Sequence, residues 1–499
     1  MVGVGRGALT ARARDGLRRH LVFGALLVLA AGLRAVVFAA YQPALIFPDS
    51  VRYLQYAQAF VGGRWTPDGL RQSGYSVLIL PAVLLHVLWL IPLVQHLVGL
   101  AAGMLVYAVL VRLGVRTAVA AVAAVPVLFD PLELVLEQYV LSDTWTVFLL
   151  VAALAALVWP QPGGGWRTAA TCGLLLGTAV TFRDEELVMM IPAVLYVAVR
   201  GRPWPRLGPL AGCFLIPVGA YLGWFGATHP EPGFTTFSGA FLYGRVADFA
   251  SCQGLSLPSY ERPLCPAQPP GQRNADFYTW DPRSPQWTFR PPAGMSRDAV
   301  ARDFSLRILE HQPVAYTEAA ARDFWYGFSP VRGAGPERYP PGYLRFQPDA
   351  RAGRQAGAAI RALGYRPTAE HGLASFLAGY GRWCYVPGPV FAGGLLLALA
   401  GLVAGARRRD QRAGPGLLFT ASAVLVLIPP ALFATFDWRY QLPQLTLIPV
   451  AAAIGGALLT GGRAGSLPSA QARGRRAASA VCRPGARRYA SRSLRCISS

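Results

Sequence analysis

Leu21–Ala40 is an apolar run about as long as the hydrocarbon core of a bilayer is thick, and runs of this kind recur almost to the end of the chain. Soluble domains carry roughly 25% charged residues, whereas here 14% are charged and 53% are hydrophobic. A backbone in lipid must satisfy its own hydrogen bonds, and repeated long apolar runs do so as helices. The pattern therefore predicts an α-helical polytopic membrane protein.

The distribution of arginine sets its expected orientation. Arg6, Arg12, Arg14, Arg18 and Arg19 face a single acid, Asp15, before the first run. The positive-inside rule puts residues 1–20 in the cytoplasm and the loop from Tyr41 outside. Leu93–Val111 and Thr117–Phe129 flank Arg112 and Arg116, and the acid-rich stretch Asp130–Asp143 follows. Those charges fall on their correct sides only if Gly74–Pro92, broken by Pro81, re-enters or lies at the surface instead of crossing. Thr144–Trp159, Thr168–Phe182, Leu187–Val199 and Leu207–Gly226 continue the series, with Arg167, Arg200, Arg202 and Arg206 inside. Residues 227–385 are polar, Pro-rich and aromatic and contain no spanning run. Val386–Ala406, Gly416–Phe436 and Leu442–Thr460 close the series before an Arg-, Ser- and Gly-rich tail. The expected layout is a basic arm (1–20), a transmembrane module (21–226) with a first outer loop (41–92), an extracytoplasmic domain (227–385), C-terminal spans (386–460) and a disordered basic tail (461–499). That makes about ten spans in the cell membrane, with both termini cytoplasmic.

The net charge is +22, and every basic residue counted with it is arginine. These arginines sit in short loops and in the tail, without the basic face of a nucleic-acid binder, so no nucleic-acid partner is expected. The tail can touch anionic lipid. Cys172 and Cys213 lie in apolar runs and read as core residues. Cys252 and Cys265 lie in the polar segment and can pair in an oxidising compartment.

On this topology charged groups gather at one membrane face. Asp49 follows the first span, in FPDSVRYLQYAQAFVGGRW, and Arg52, Tyr53 and Tyr56 share its helical face. Glu137 and Asp143 come from the second outer loop, Arg183 with Asp184–Glu186 from the third, and Arg439 with Tyr440 from the last. Ionisable residues beside the bilayer core are costly and usually functional. A cation at an anionic leaving group and a base at an incoming hydroxyl are what transfer from a lipid-phosphate carrier requires. Arg183 or Arg439 can hold the phosphate, and Asp49 can take the acceptor's proton, which implies inversion at the sugar carbon. Asp130, Glu137 and Asp143 can also bind Mg²⁺ or Mn²⁺, although no spacing demands a metal. In residues 227–385, Trp280, Trp287 and Trp325 suit either a sugar face or a domain core, and Ala299–Gly327 reads as one amphipathic helix.

These residues resemble the GT-C glycosyltransferases, among them the protein O-mannosyltransferases and the aminoarabinose transferases of lipid A. The resemblance rests on Asp49 just after the first span, Tyr53 four positions on, Gly62-Gly63-Arg64, and Arg71-Gln72-Ser73-Gly74-Tyr75. Leu136–Asp143, Thr181-Phe182-Arg183, and Arg439-Tyr440 before Pro443 extend it. It implies a GT-C-like transmembrane module and a polyprenyl-phosphate-linked sugar donor, with a glycan, lipid or protein acceptor. It also implies a first-loop acid acting as base, a second-loop acid that assists or holds a metal, and an acceptor-binding role for the large segment. Glu137 and Asp143 thus join Asp49 as catalytic candidates. Arg52, Tyr53, Arg64, Arg71, Arg183, Arg439 and Tyr440 are the substrate-binding candidates, Arg64 or Arg71 standing in for the lysine of the aminoarabinose transferases. The competing readings are a transporter or flippase of a lipid-linked sugar and a non-catalytic glycolipid-binding relative of the same fold. The long one-sided segment and the absence of an evident internal repeat weigh against transport.

Overall fold

A computed structural model of the chain describes residues 4–159, 165–199, 204–332, 343–349 and 354–461, with the side chains of 4–18 and 354–356 excepted. The expectations for the basic tail, for Arg200 and Arg202, and for the side chains of the N-terminal arm fall outside these residues. The described chain is mostly helical, and it is a multi-pass membrane protein by the length and apolarity of its helices.

Six described helices are long and apolar enough to cross a membrane. They are Arg19–Ala40, Leu90–Arg112, Trp204–Thr228, Gly388–Arg407, Ala413–Phe433 and Trp438–Thr460. A seventh arises if Thr117–Phe129 and Pro131–Gln138, bent by 46°, count as one broken span. The expected ten included runs whose helices are shorter, such as Asp143–Val158, Trp166–Phe182 and Met190–Ala198. Gly74–Pro92 forms two five-residue helices, Gly74–Leu78 and Leu80–Leu84. At 1.5 Å per residue neither can cross, so the segment between the first two long helices is not a span.

The break in the bent pair explains several buried charges. Pro131 cannot donate to the preceding turn, which leaves carbonyls at the end of Thr117–Phe129 without helical partners. Arg34, inside the first span, supplies them: its Nη1 donates to the Leu128 carbonyl at 2.8 Å and its Nη2 to the Val127 carbonyl at 3.1 Å. The Tyr380 hydroxyl donates to the Phe129 carbonyl. Asp130 caps the second helix by accepting from the Leu132 N–H at 2.9 Å, and it also receives Arg332 at 2.6 Å and the Val386 N–H at 2.8 Å. A broken helix in lipid is tolerated when its freed backbone groups are satisfied this way.

The polar segment has a small core of its own, in which Tyr243, Val246, Leu264, Tyr278, Phe304 and Ile308 are buried together. Cys252 and Cys265 are disulfide-bonded at its edge. The single amphipathic helix expected over Ala299–Gly327 is two helices, Arg297–His311 and Pro313–Tyr326. Pro313 disfavours helical backbone at Gln312 and ends the first. Its apolar side, Phe304 and Ile308, packs into the core of the polar segment. Trp280 and Trp287 stack on Phe237 at 5.1 and 5.5 Å, whereas Trp325 is exposed.

Short backbone links fasten the loops to one another. Tyr41–Gln42 pairs antiparallel with Thr368–Ala369, and Leu45 bridges to Tyr139. Gly69, at φ +71°, lets the segment after the first long helix accept from the Thr236 N–H at 2.9 Å. A side chain there would strain the left-handed backbone and meet Thr236 and His229.

Candidate active site

Asp49 lies in the first turn of the helix Pro48–Val61, entered through Pro48, where the helix dipole favours a carboxylate. It is 6% exposed. Arg71 Nη2 donates to its Oδ1 at 2.6 Å, and Arg439 Nη1 donates to its Oδ2 at 2.9 Å. Burial alone would raise this carboxyl, but the two guanidiniums outweigh it and hold it down at about 2. The two guanidiniums thus keep Asp49 ionised.

Each arginine is held from behind. The guanidinium of Arg71 lies 4.8 Å from the Trp280 ring and 5.3 Å from the Phe241 ring, both in the polar segment. Its backbone N–H donates to the Tyr56 hydroxyl at 3.3 Å. Arg439 sits in the 3₁₀ turn Trp438–Gln441, 5.3 Å from the Phe47 ring. Arg183 donates to Asp143 at 2.5 Å and to Glu185 at 2.6 Å, and it faces the Tyr440 ring at 5.4 Å.

Asp49, Arg71, Arg183 and Arg439 line one cavity of about 610 Å³, a size ordinary for small-molecule sites. Its other charged and polar lining includes Asp184, Glu185 and Arg302, with Tyr53 and Tyr440. Its apolar lining comes from Leu187, Val188, Ile428, Leu432 and Phe433, of which Leu187 and Phe433 are exposed. Burial and the neighbouring Glu185 push the Asp184 carboxyl up to about 6. The cavity lies on the side of the spans that carries the polar segment, since Thr235, Ser238, Phe241 and Arg302 complete its wall.

Asp49, Tyr53, Arg71, Arg183, Arg439 and Tyr440 thus converge as expected from the sequence. Asp143 stands just behind Arg183 in a small adjoining recess. Glu137 does not reach the cavity. It is fully buried between Arg34, at 2.6 Å, and His96, at 2.7 Å, as the counter-charge of the broken span. Arg52 pairs with Asp68 at 2.8 Å on a half-exposed face, and Arg64 is exposed beyond the helix end. Neither lines the cavity, because the helix Pro48–Val61 turns only one face toward it.

The acids considered for a metal are separated by their partners: Asp130 has Arg332, Glu137 has Arg34 and Asp143 has Arg183. Among the described residues no group of three or more His, Cys, Asp or Glu could hold a metal ion. The site also contains Phe241 and Asp437, which the sequence reading passed over, and it includes Gln72 and Trp280. Arg34 and His96 were missed too, although a lone ionisable residue inside an apolar run is the signal that finds them.

Residues 85–201 match the family model described as dolichyl-phosphate-mannose-protein mannosyltransferase. The chain resembles the GT-C glycosyltransferases. The matched stretch contains Glu137, Asp143 and Arg183 and stops short of Asp49, Arg71 and Arg439 on either side. Two crystal structures of ArnT from Cupriavidus metallidurans are similar to the chain at 15% identity and a TM-score of 0.36. The one bound to undecaprenyl phosphate covers 88% of this chain and 77% of its own, and the apo one 89% and 78%. No curated protein matches the chain.

Proposed function

We propose that this protein is an integral-membrane glycosyltransferase that moves a sugar from a polyprenyl-phosphate carrier to an extracytoplasmic acceptor, with inversion at the sugar carbon. The carrying observation is a single cavity of mixed lining. Arg71, Arg183 and Arg439 border it together with apolar side chains, of which Leu187 and Phe433 are exposed. A phosphate binds forked guanidiniums, and an isoprenoid tail leaves a polar site through an apolar wall. The match of residues 85–201 to a family named for a dolichyl-phosphate donor supports the same donor class.

In this reading Arg439 and Arg71 take the negative charge that develops on the leaving phosphate, and Asp49 keeps them aligned. Stabilisation of that kind, set in place before reaction, is the largest contribution many transferases have. Arg183, tied to Asp143 and Glu185, shares the Tyr440 ring with Arg439 and adds a third cation for the phosphate. The polar segment presents the acceptor, a cell-wall glycan, a lipid or an exported protein.

Comparing the lipids and cell-wall glycans of a deletion strain with those of its parent tests this directly. The expected result is accumulation of one polyprenyl-phosphate sugar together with loss of that sugar from one glycan, lipid or protein. Unchanged carrier pools and glycans would overturn the assignment. Tight binding of undecaprenyl phosphate by the purified protein, with no transfer in cells, would instead favour a non-catalytic glycolipid binder.

A further inference from the structure

We infer that Asp437 is the base that receives the proton of the acceptor hydroxyl, resting on the glycosyl-transfer reading above. Beside the main cavity lies a second, smaller recess of about 40 Å³. The two share Arg71, Phe241, Ala434, Arg439 and Tyr440, but where the main cavity has Asp49 the recess has Asp437. Its volume suits water-sized groups such as a hydroxyl and not a whole sugar ring.

Asp437 is 6% exposed and precedes the 3₁₀ turn that carries Arg439. Its Oδ1 accepts the backbone N–H of Arg439 at 3.3 Å. Its Oδ2 has no hydrogen-bond partner among the described residues and lies 3.4 Å from Arg439 Nε. A buried carboxylate oxygen left without a donor is costly, and an incoming hydroxyl is a donor. Each oxygen of Asp49, by contrast, already accepts from an arginine.

The electrostatics agree with this geometry. Burial pushes the Asp437 carboxyl up, Arg439 pulls it down, and Asp276 and Asp143 push it up again, leaving it at about 7. A base near the operating pH combines the right protonation state with useful proton affinity. The other charged groups at the recess are Arg71, engaged with Asp49, and Arg245, which donates to Asp323 at 2.8 Å. Tyr440 completes the titratable set.

Arg439 then stands between two carboxylates, with Asp49 and the donor phosphate on one side and Asp437 and the acceptor on the other. The acceptor oxygen forms a bond to the anomeric carbon. The bond from that carbon to the phosphate oxygen breaks, and its electron pair leaves with the polyprenyl phosphate. The hydroxyl proton passes to Asp437 Oδ2.

The test uses full-length protein in liposomes, undecaprenyl phosphate as the binding probe, and undecaprenyl-phosphate-linked mannose and arabinose as donors, with release of undecaprenyl phosphate as the rate. D437N keeps the backbone cap and is expected to bind undecaprenyl phosphate within about two-fold of the parent. Its transfer is expected to fall by about 100-fold or more, the usual share of a general base. The parent rate is expected to rise through about pH 7, and D437E to restore part of the rate with that rise displaced along the pH axis. A D437N protein that transfers at the parent rate with the same pH rise would overturn the inference. So would equal loss of probe binding and rate, since that would make Asp437 a prop for Arg439. A parent protein that neither binds undecaprenyl phosphate nor consumes either donor would remove the glycosyl-transfer reading itself, and the role of Asp437 with it.

Discussion

Arg439 Nη1 lies 2.9 Å from Asp49 Oδ2 although the two residues are 390 positions apart in the chain. Arg71 grips the other oxygen of the same carboxylate, so one buried acid aligns two cations from opposite ends of the sequence. Asp49→Asn keeps the shape and removes the charge, leaving two guanidiniums without their counter-ion. Loss of one partner of a buried pair costs about 3–5 kcal/mol. The expected outcome is a lower melting temperature and weaker retention of undecaprenyl phosphate, read by thermal unfolding and by binding on one preparation. Parent-like values in both would show that Asp49 does not organise the arginines.

Arg439→Lys keeps the charge and loses the planar fork. A lysine cannot serve Asp49 and a phosphate with two parallel donors. Affinity for undecaprenyl phosphate is expected to fall by roughly ten-fold, the equivalent of one charge-assisted hydrogen bond of about 1.5 kcal/mol. Titration of the purified variant with that lipid checks it.

Arg34→Met and Glu137→Leu each strand a buried partner inside the broken span. Each alone is expected to reduce the yield of folded protein and its melting temperature, and the double variant to recover part of the loss because no unpaired charge remains. Activity per folded molecule is expected to stay near the parent value in any variant that folds, since neither residue lines the cavity. A melting series over the four proteins, with rate normalised to folded fraction, separates a structural from a catalytic Glu137.

Glu186 supplies a pH dependence of stability. Burial and the adjacent Glu185 push its carboxyl up to about 8, so between the ordinary glutamate value and about 8 the folded protein holds a proton that the unfolded chain releases. Its stabilising contribution is complete below about 4.5 and is lost as the pH climbs through about 8. The melting temperature is expected to decline from pH 5 to pH 9, and Glu186→Gln to flatten that decline. A variant with an unchanged slope would assign the dependence to other groups.

The convergence of Asp49, Arg183 and Arg439 was legible because each stands where an apolar run meets charge, and sidedness alone brings such positions to one rim. Glu137 was misplaced for the same reason. It shares a loop with Asp143, but the helix Pro131–Gln138 turns it inward onto Arg34 and His96, and only tertiary packing decides that. Arg34 was hidden inside a run counted as uniformly apolar. Arg52 followed Asp49 at helical spacing, yet the nearer claim of Asp68 draws it to the surface. Asp437 was passed over, because an unsatisfied oxygen belongs to the folded neighbourhood and not to the local sequence. The number of spans was least legible, since length and apolarity cannot tell a short buried helix from a crossing one.

The bond between Asp49 and Arg439 also sets a clock on biogenesis. Asp49 leaves the ribosome early, and its second cation arrives only when the last long helix is being inserted. Until residue 439 is made, Asp49 has Arg71 but not Arg439 to neutralise it. The pair therefore closes only after the polar segment and the helices before it in the chain have been translated.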